Sequence, residues 1–211
     1  MDNLKIGITE PSLVAAAALA VSTDPCRFYL HGVCIQLAPQ GGLHIIATNG
    51  HILSVGYDKY GHMTGLDDRE EIILKLTSQE FALFAKHQAV EITQDIVSLY
   101  KDEKSTMGDD LILSKRLFCD YIDGTFPDWR RVVPKPLDEQ RHAPFNAKYL
   151  ATFARMQKCF PDHGDAIVIT GNSSKNPYVV RFPSVENWFG IVMPMLASMV
   201  GIPEWYLEET K

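Results

Sequence analysis

The sequence predicts an α+β protein built from three β-α-β-β-β units. Three observations predict this. A helix-start pattern occurs three times, opening at residues 8, 76 and 145, spaced 68 and 69 residues apart. Each start is followed by about a dozen residues of helical pattern and then by β-rich runs. Finally, the apolar stretch 43–55 carries Asn49-Gly50 at its centre, a strong short-range hairpin signal.

The first unit opens with Ile8-Thr9-Glu10-Pro11-Ser12-Leu13. An apolar residue precedes a Thr N-cap, a second apolar residue follows five positions on, and Pro11 sits early, where a missing N–H costs nothing. A helix over 10–21 and strands over 28–37, 43–48 and 51–57 follow. The second unit has a strand over 71–76. Leu76-Thr77-Ser78-Gln79-Glu80-Phe81 is then a complete start, with Thr77 and Glu80 as capping box and Leu76 and Phe81 as staple. Its helix extends to 87, and its strands cover 90–93, 96–100 and 111–121. The third start is Phe145-Asn146-Ala147-Lys148-Tyr149-Leu150, with a helix over 147–159 and strands over 166–170, 178–182 and 188–193. Between the second and third units, 123–136 holds three prolines and a glycine and reads as a linker. Its Trp129-Arg130-Arg131 is either a phosphate contact or a solvated corner, and composition favours the corner.

Composition narrows the function classes. The chain has 211 residues, 46% of them apolar, and a net charge of −6. That is enough for a substantial core, and it excludes a surface uniformly coated in DNA-binding charge, though not one basic face. The four cysteines are scattered without a C-x-x-C pair, which fits a reduced cytoplasmic protein and no zinc site. The run 13–21 is apolar but lacks a basic segment before it and is too short to span a bilayer. It reads as a buried Ala-rich helix, with no membrane partner. No phosphate-binding loop, nucleophile elbow or metal-ligand cluster is present, and Asp109-Asp110 reads as a solvated turn. No catalytic residue, metal or cofactor is expected.

Four motifs occur in order: Arg27-Phe28-Tyr29-Leu30-His31-Gly32-Val33; Ala47-Thr48-Asn49-Gly50-His51; the segment from Asp123-Gly124-Thr125-Phe126-Pro127-Asp128-Trp129 to Pro134; and Val192-Met193-Pro194-Met195. Together they resemble the bacterial sliding clamp, the β subunit of DNA polymerase III. The resemblance covers that family's middle domain (1–134 here) and the second half of its last domain (135–195), leaving a tail over 196–211. It implies the DNA-clamp fold, with helices on one side of antiparallel sheets. It also implies a non-catalytic processivity protein for DNA replication, a homo-oligomer that holds double-stranded DNA without sequence preference. A ring of the family's kind has twelve such units, so three per chain would require four chains or a domain shared between chains. An unpaired third unit would otherwise expose a sheet edge and an apolar face.

The resemblance implies two sites. One is a pocket for the short linear motif of a DNA polymerase or clamp loader. Matching positions are Leu30, Thr48, Gly50, His51 and Leu53, then Pro127, Arg131 and Val132, then Met193 and Met195. Asn49 and Ile52 depart from the Asp and Arg usual in the family, and the second change removes a donor from the rim. The other is a DNA-facing set, Arg27, Lys86, Lys148, Arg155 and Lys158, for which ordinary solvated helix surface is the competing reading. The functional alternative is a clamp-derived peptide-binding module that does not encircle DNA. The aromatic tail segment 201–207 either covers the third unit or docks in the pocket.

Overall fold

In the first unit, β1 (Lys5–Ile8) leads through α1 (Pro11–Ala18) to β2 (Val33–Leu37), β3 (Leu43–Thr48), β4 (Ile52–Asp58) and β5 (His62–Thr64). The second has β6 (Glu71–Lys75), α2 (Ser78–Phe84), β7 (Ala89–Thr93), β8 (Ile96–Ser105), β9 (Gly108–Phe118) and β10 (Asp120–Tyr121). The third has α3 (Ala147–Gln157), β11 (Val168–Thr170), β12 (Tyr178–Arg181) and β13 (Trp188–Val192). This computed structural model describes residues 3–65, 70–105, 108–134, 143–161, 164–171 and 175–195. The tail 196–211 and most of the stretch before α3 lie outside the described residues, and among those described no strand precedes α3.

The strands form two antiparallel sheets, ordered β5-β1-β7-β8-β9 and β10-β6-β2-β3-β4-β13-β12-β11. The first two units exchange their opening strands. β1 pairs with β7 of the second unit, and β6 pairs with β2 of the first. The third unit joins the larger sheet through β13, which pairs with β4 from Trp188↔Gly56 to Val192↔Ile52. The expected bare edge at this seam is therefore closed, and the outer strand is β11.

β3 and β4 are buried nearly throughout, as strands covered on both faces. One face packs on the helices. Leu13, Val14 and Ala15 to Ala17 of α1 join Phe81, Phe84, Phe153 and Trp188 in the larger core cluster. Gly56 of β4 allows α1 a close approach: a Cβ there would come 2.7 Å from the Leu13 side chain. The opposite face of the same sheet carries a second cluster, in which Leu30, Cys34, Ile46, Leu53, Ile73 and Ile191 pack under Phe126 and Trp129. The linker thus roofs the sheet's outer face, and the candidate site lies beneath this roof.

Local signals account for most helix ends. The Thr77–Glu80 capping box forms as the sequence predicts, and Asn146 caps α3 through the Lys148 amide at 2.9 Å. α1 differs. Its N-cap is Glu10 with no side-chain cap, because Thr9 turns to the buried Asp58. That carboxylate accepts from the amides of Thr9 (2.7 Å), Glu10 (3.2 Å) and Gly61 (3.0 Å), tying the start of α1 to the end of β4. Residues 28–30, expected in a strand, instead belong to a 3-10 turn, Pro25–Leu30, whose entry Asp24 caps through the Cys26 amide. Asp110, expected in a turn, lies in β9. Among the described residues no helix is long and apolar enough to cross a membrane.

Candidate functional site

The β3–β4 connection is where the site begins. β3 ends at Thr48 and β4 begins at Ile52, so residues 49–51 form a three-residue loop and not the two-residue turn that Asn-Gly suggests. The reason is local hydrogen bonding. Asn49 Oδ1 accepts from the amides of His51 (3.0 Å) and Ile52 (3.1 Å), and Thr48 Oγ1 accepts from Gly50 (3.0 Å) while donating to the Ile52 carbonyl (2.7 Å). Asn49 acts as an Asx turn, and only Gly50 takes positive φ, +87°. A Cβ there would meet Arg27 Nη1 at 2.2 Å. Glycine therefore serves both the backbone and the guanidinium lying across it, which donates to the Asn49 carbonyl at 3.4 Å.

Beneath this loop is a cavity of about 260 Å³. The end of β3, the loop and β4 contribute Thr48, Gly50, His51, Ile52 and Leu53, the 3-10 turn Pro25–Leu30 contributes Arg27, Tyr29 and Leu30, and β13 contributes Ile191 with Met193 just beyond its end. The linker closes the roof with Pro127, Asp128, Trp129 and Val132. The walls are mainly apolar, with Arg27, Thr48, His51 and Asp128 as the polar lining groups. The third unit holds the loop in place: the Met193 amide donates to the His51 carbonyl at 3.0 Å, and the His51 ring stacks on Tyr149 of α3 at 5.5 Å.

The roof is anchored from below. Trp129 Nε1 donates to Gln36 Oε1 at 3.1 Å, Gln36 donates to Glu71, and the other Glu71 oxygen accepts from the Phe126 amide at 2.9 Å. Arg130 lies over the Trp129 ring at 4.5 Å, and His44 meets the same ring edge-on at 5.5 Å. Burial and the Arg130 charge push the His44 pKa down, which favours the neutral imidazole. Trp129 is only 9% exposed, so the solvated-corner reading of this segment does not describe it. Sequence could not reveal that, because Gln36 lies far away in the chain.

Eight of the ten pocket residues expected from the sequence line this cavity. Arg131 does not. In the 3-10 turn Trp129–Val132, positions 129 and 132 eclipse each other toward the cavity and turn Arg131 away. Met195 does not either; its amide donates to the Pro144 carbonyl at 2.8 Å. Arg27, expected among DNA-facing residues, lies at the cavity. Ile52, expected at the rim, lines it too, and so do Tyr29, Asp128, Trp129 and Ile191, which are not among the expected pocket residues. Tyr29, Asp128 and Trp129 lie within the quoted motifs, and Ile191 is at β-strand spacing from Met193.

The remaining cationic residues divide. Lys148, Arg155 and Lys158 are exposed and spaced to share one side of α3 and its C-terminal turn. Lys86 is exposed just past the end of α2, in a different unit. α1 carries no charged residue.

No protein-family model and no curated protein matches the chain. Comparison with solved structures shows the sliding-clamp fold. The DNA polymerase III β sliding clamp of Bartonella birtlesii, solved bound to griselimycin, aligns over 93% of this chain and 67% of its own, with TM-score 0.63 and 15% identity. The C. crescentus β sliding clamp, solved with PEG at a region proposed to tether β motifs, aligns over 93% and 66%, with TM-score 0.65 and 17% identity. The Thermotoga maritima β subunit aligns over 94% and 67%, with TM-score 0.60 and 14% identity. The chain thus spans about two thirds of the length of these clamps.

Proposed function

We propose that the chain is a non-catalytic replication accessory protein of sliding-clamp type, whose cavity receives a short linear motif of a DNA polymerase or clamp loader. The observation that carries this reading is the convergence of three sequence-distant segments (the β3–β4 loop, the end of β13 and the linker) on one apolar cavity. Its volume, about 260 Å³, suits a few apolar side chains of an extended segment better than a drug-sized ligand. Met193 adapts to their shape, and Gly50 lets a peptide backbone come close. Arg27 offers a charged donor to a carbonyl or carboxylate at the mouth. Ile52, buried where the family usually has Arg, makes this wall more apolar and shifts the motif preference toward apolar residues.

The same proposal gives the exposed cations of α3 to the phosphates of double-stranded DNA, held by a homo-oligomer in the cytoplasm. A second reading is a peptide-binding module that does not encircle DNA. It is favoured by α1, whose eight residues carry no cation and lie largely buried. Fluorescence anisotropy with a labelled clamp-motif peptide tests the shared part. Micromolar binding that weakens at least tenfold in Val132→Asp is expected, since Val132 lines the cavity yet is 45% exposed and tolerates change. No binding to the wild type would contradict it. Retention on nicked circular DNA then separates the two readings.

A further inference from the structure

The cavity lies where the chain leaves β13. Met193 lines it, and the Met193 amide holds the His51 carbonyl at 3.0 Å. Two residues later the Met195 amide donates to the Pro144 carbonyl at 2.8 Å, with its side chain exposed. The sixteen residues 196–211 therefore start at the rim of the cavity. Gly201 and Pro203 are residues of chain reversal. Each residue of an extended chain covers at most about 3.6 Å. A path that reverses at 201–203 thus brings Trp205 and Leu207 back to within a few residues of Met195.

The sequence of this segment is complementary to the cavity. Glu204-Trp205-Tyr206-Leu207-Glu208 sets apolar residues between acids, and 196–211 as a whole holds three Glu against one Lys. In an extended segment Trp205 and Leu207 share one face, and Glu204, Tyr206 and Glu208 share the other. The first face matches the mainly apolar walls. The second meets Arg27 at the mouth and the exposed Arg130 and Arg131 of the linker. The third unit offers much less to cover. Its outer strand β11 has three residues, and among the described residues its strands expose one large hydrophobic side chain, Val168.

We propose that residues 204–208 occupy the cavity of their own chain, with Trp205 and Leu207 inserted, and compete there with peptides from outside. This rests on the reading of the cavity as a peptide site. A short tether supplies an effective concentration on the order of 1 mM, so a segment whose free affinity is only about 100 µM fills its own cavity most of the time and weakens an outside peptide about tenfold.

The test is fluorescence anisotropy with a labelled synthetic peptide of residues 201–209, on the full chain and on the same chain carrying Trp205→Ala with Leu207→Ala. The peptide is expected to bind the double variant about tenfold more tightly than wild type, and Val132→Asp added to that variant removes the gain. Equal binding to the two chains overturns the proposal and leaves the cavity a peptide site. If the double variant binds a clamp-motif peptide but not this one, the proposal again falls alone; if it binds neither, the peptide reading falls with it. Methyl NMR of the full chain at about 20 and 400 µM fixes the source of the segment. The double substitution should shift the methyls of Leu30, Val132 and Met193 equally at both concentrations. Shifts that grow with concentration assign the segment to a second copy, and shifts at Val168 in place of the cavity assign it to the third unit; either result overturns the proposal.

Discussion

The indole N–H of Trp188 donates to Ser54 Oγ at 2.8 Å, and neither residue retains any solvent exposure. This bond crosses the β4–β13 seam, where the third unit joins the first. Around it Phe182 stacks on Trp188 at 4.1 Å, and Phe153 and Phe160 pack against its ring at 6.2 Å. The seam also holds the cavity together, since Leu53 and Ile191 pair across it and both line the cavity. Ser54→Ala leaves the indole donor buried without a partner and is expected to cost about 1–3 kcal/mol. Trp188→Phe loses ring volume in addition. The double substitution costs less than the sum, because no orphaned polar group remains. Urea denaturation of the four proteins checks this.

Gly50→Ala tests the mouth of the cavity. Its backbone, at φ +87°, disfavours a side chain, and the new Cβ would displace the Arg27 guanidinium. A loss of about 1 kcal/mol in stability is expected. Motif-peptide affinity should fall by severalfold more than stability alone explains. Unchanged affinity would remove Arg27 from the recognition account.

Glu10 makes the seam pH-dependent. Burial raises its pKa, the Asn187 hydrogen bond lowers it in part, and the Asp58 charge raises it further. The folded state therefore holds this proton more tightly than the unfolded chain does. The contribution is complete below the ordinary value of 4.5 and is lost as pH rises through the folded value. Glu10→Gln, which can still accept from Asn187, should melt slightly higher than wild type at pH 7. The advantage should shrink as pH falls toward 4.5. Melting curves across that range measure it.

The α3 cations carry the DNA part of the proposal. Replacing Lys148, Arg155 and Lys158 together with Gln should weaken non-specific duplex binding. If all three meet phosphates, the slope of log affinity against log salt should flatten by roughly 3. All three are exposed, so thermal stability should change little. An unchanged slope would identify them as ordinary solvated surface.

Legibility from sequence followed the range of the interactions. The Thr77–Glu80 capping box was plain because all its atoms lie within one helical turn. β12 and β13 are plain because their apolar runs carry their buried positions. The β3–β4 loop is one residue longer than Asn-Gly suggests, since Asn49 bonds the following amides where a two-residue turn would need positive φ. Trp129 was hidden because its partner Gln36 is 93 residues away. The place of Arg27 over Gly50 depends on the fold, and its charge alone does not reveal it. The pairing of β13 with β4 joins residues more than 130 positions apart, and no local pattern encodes it.

The most direct test of the central claim is methyl-labelled NMR during titration with an unlabelled clamp-motif peptide. The account predicts saturable shifts at the methyls of Leu30, Leu53, Val132, Ile191 and Met193, which line the cavity. Those of Met63 and Met156, in the helix-side core, should stay still. Shifts confined to other surfaces, or none at millimolar peptide, would contradict the assignment of this cavity as the recognition site.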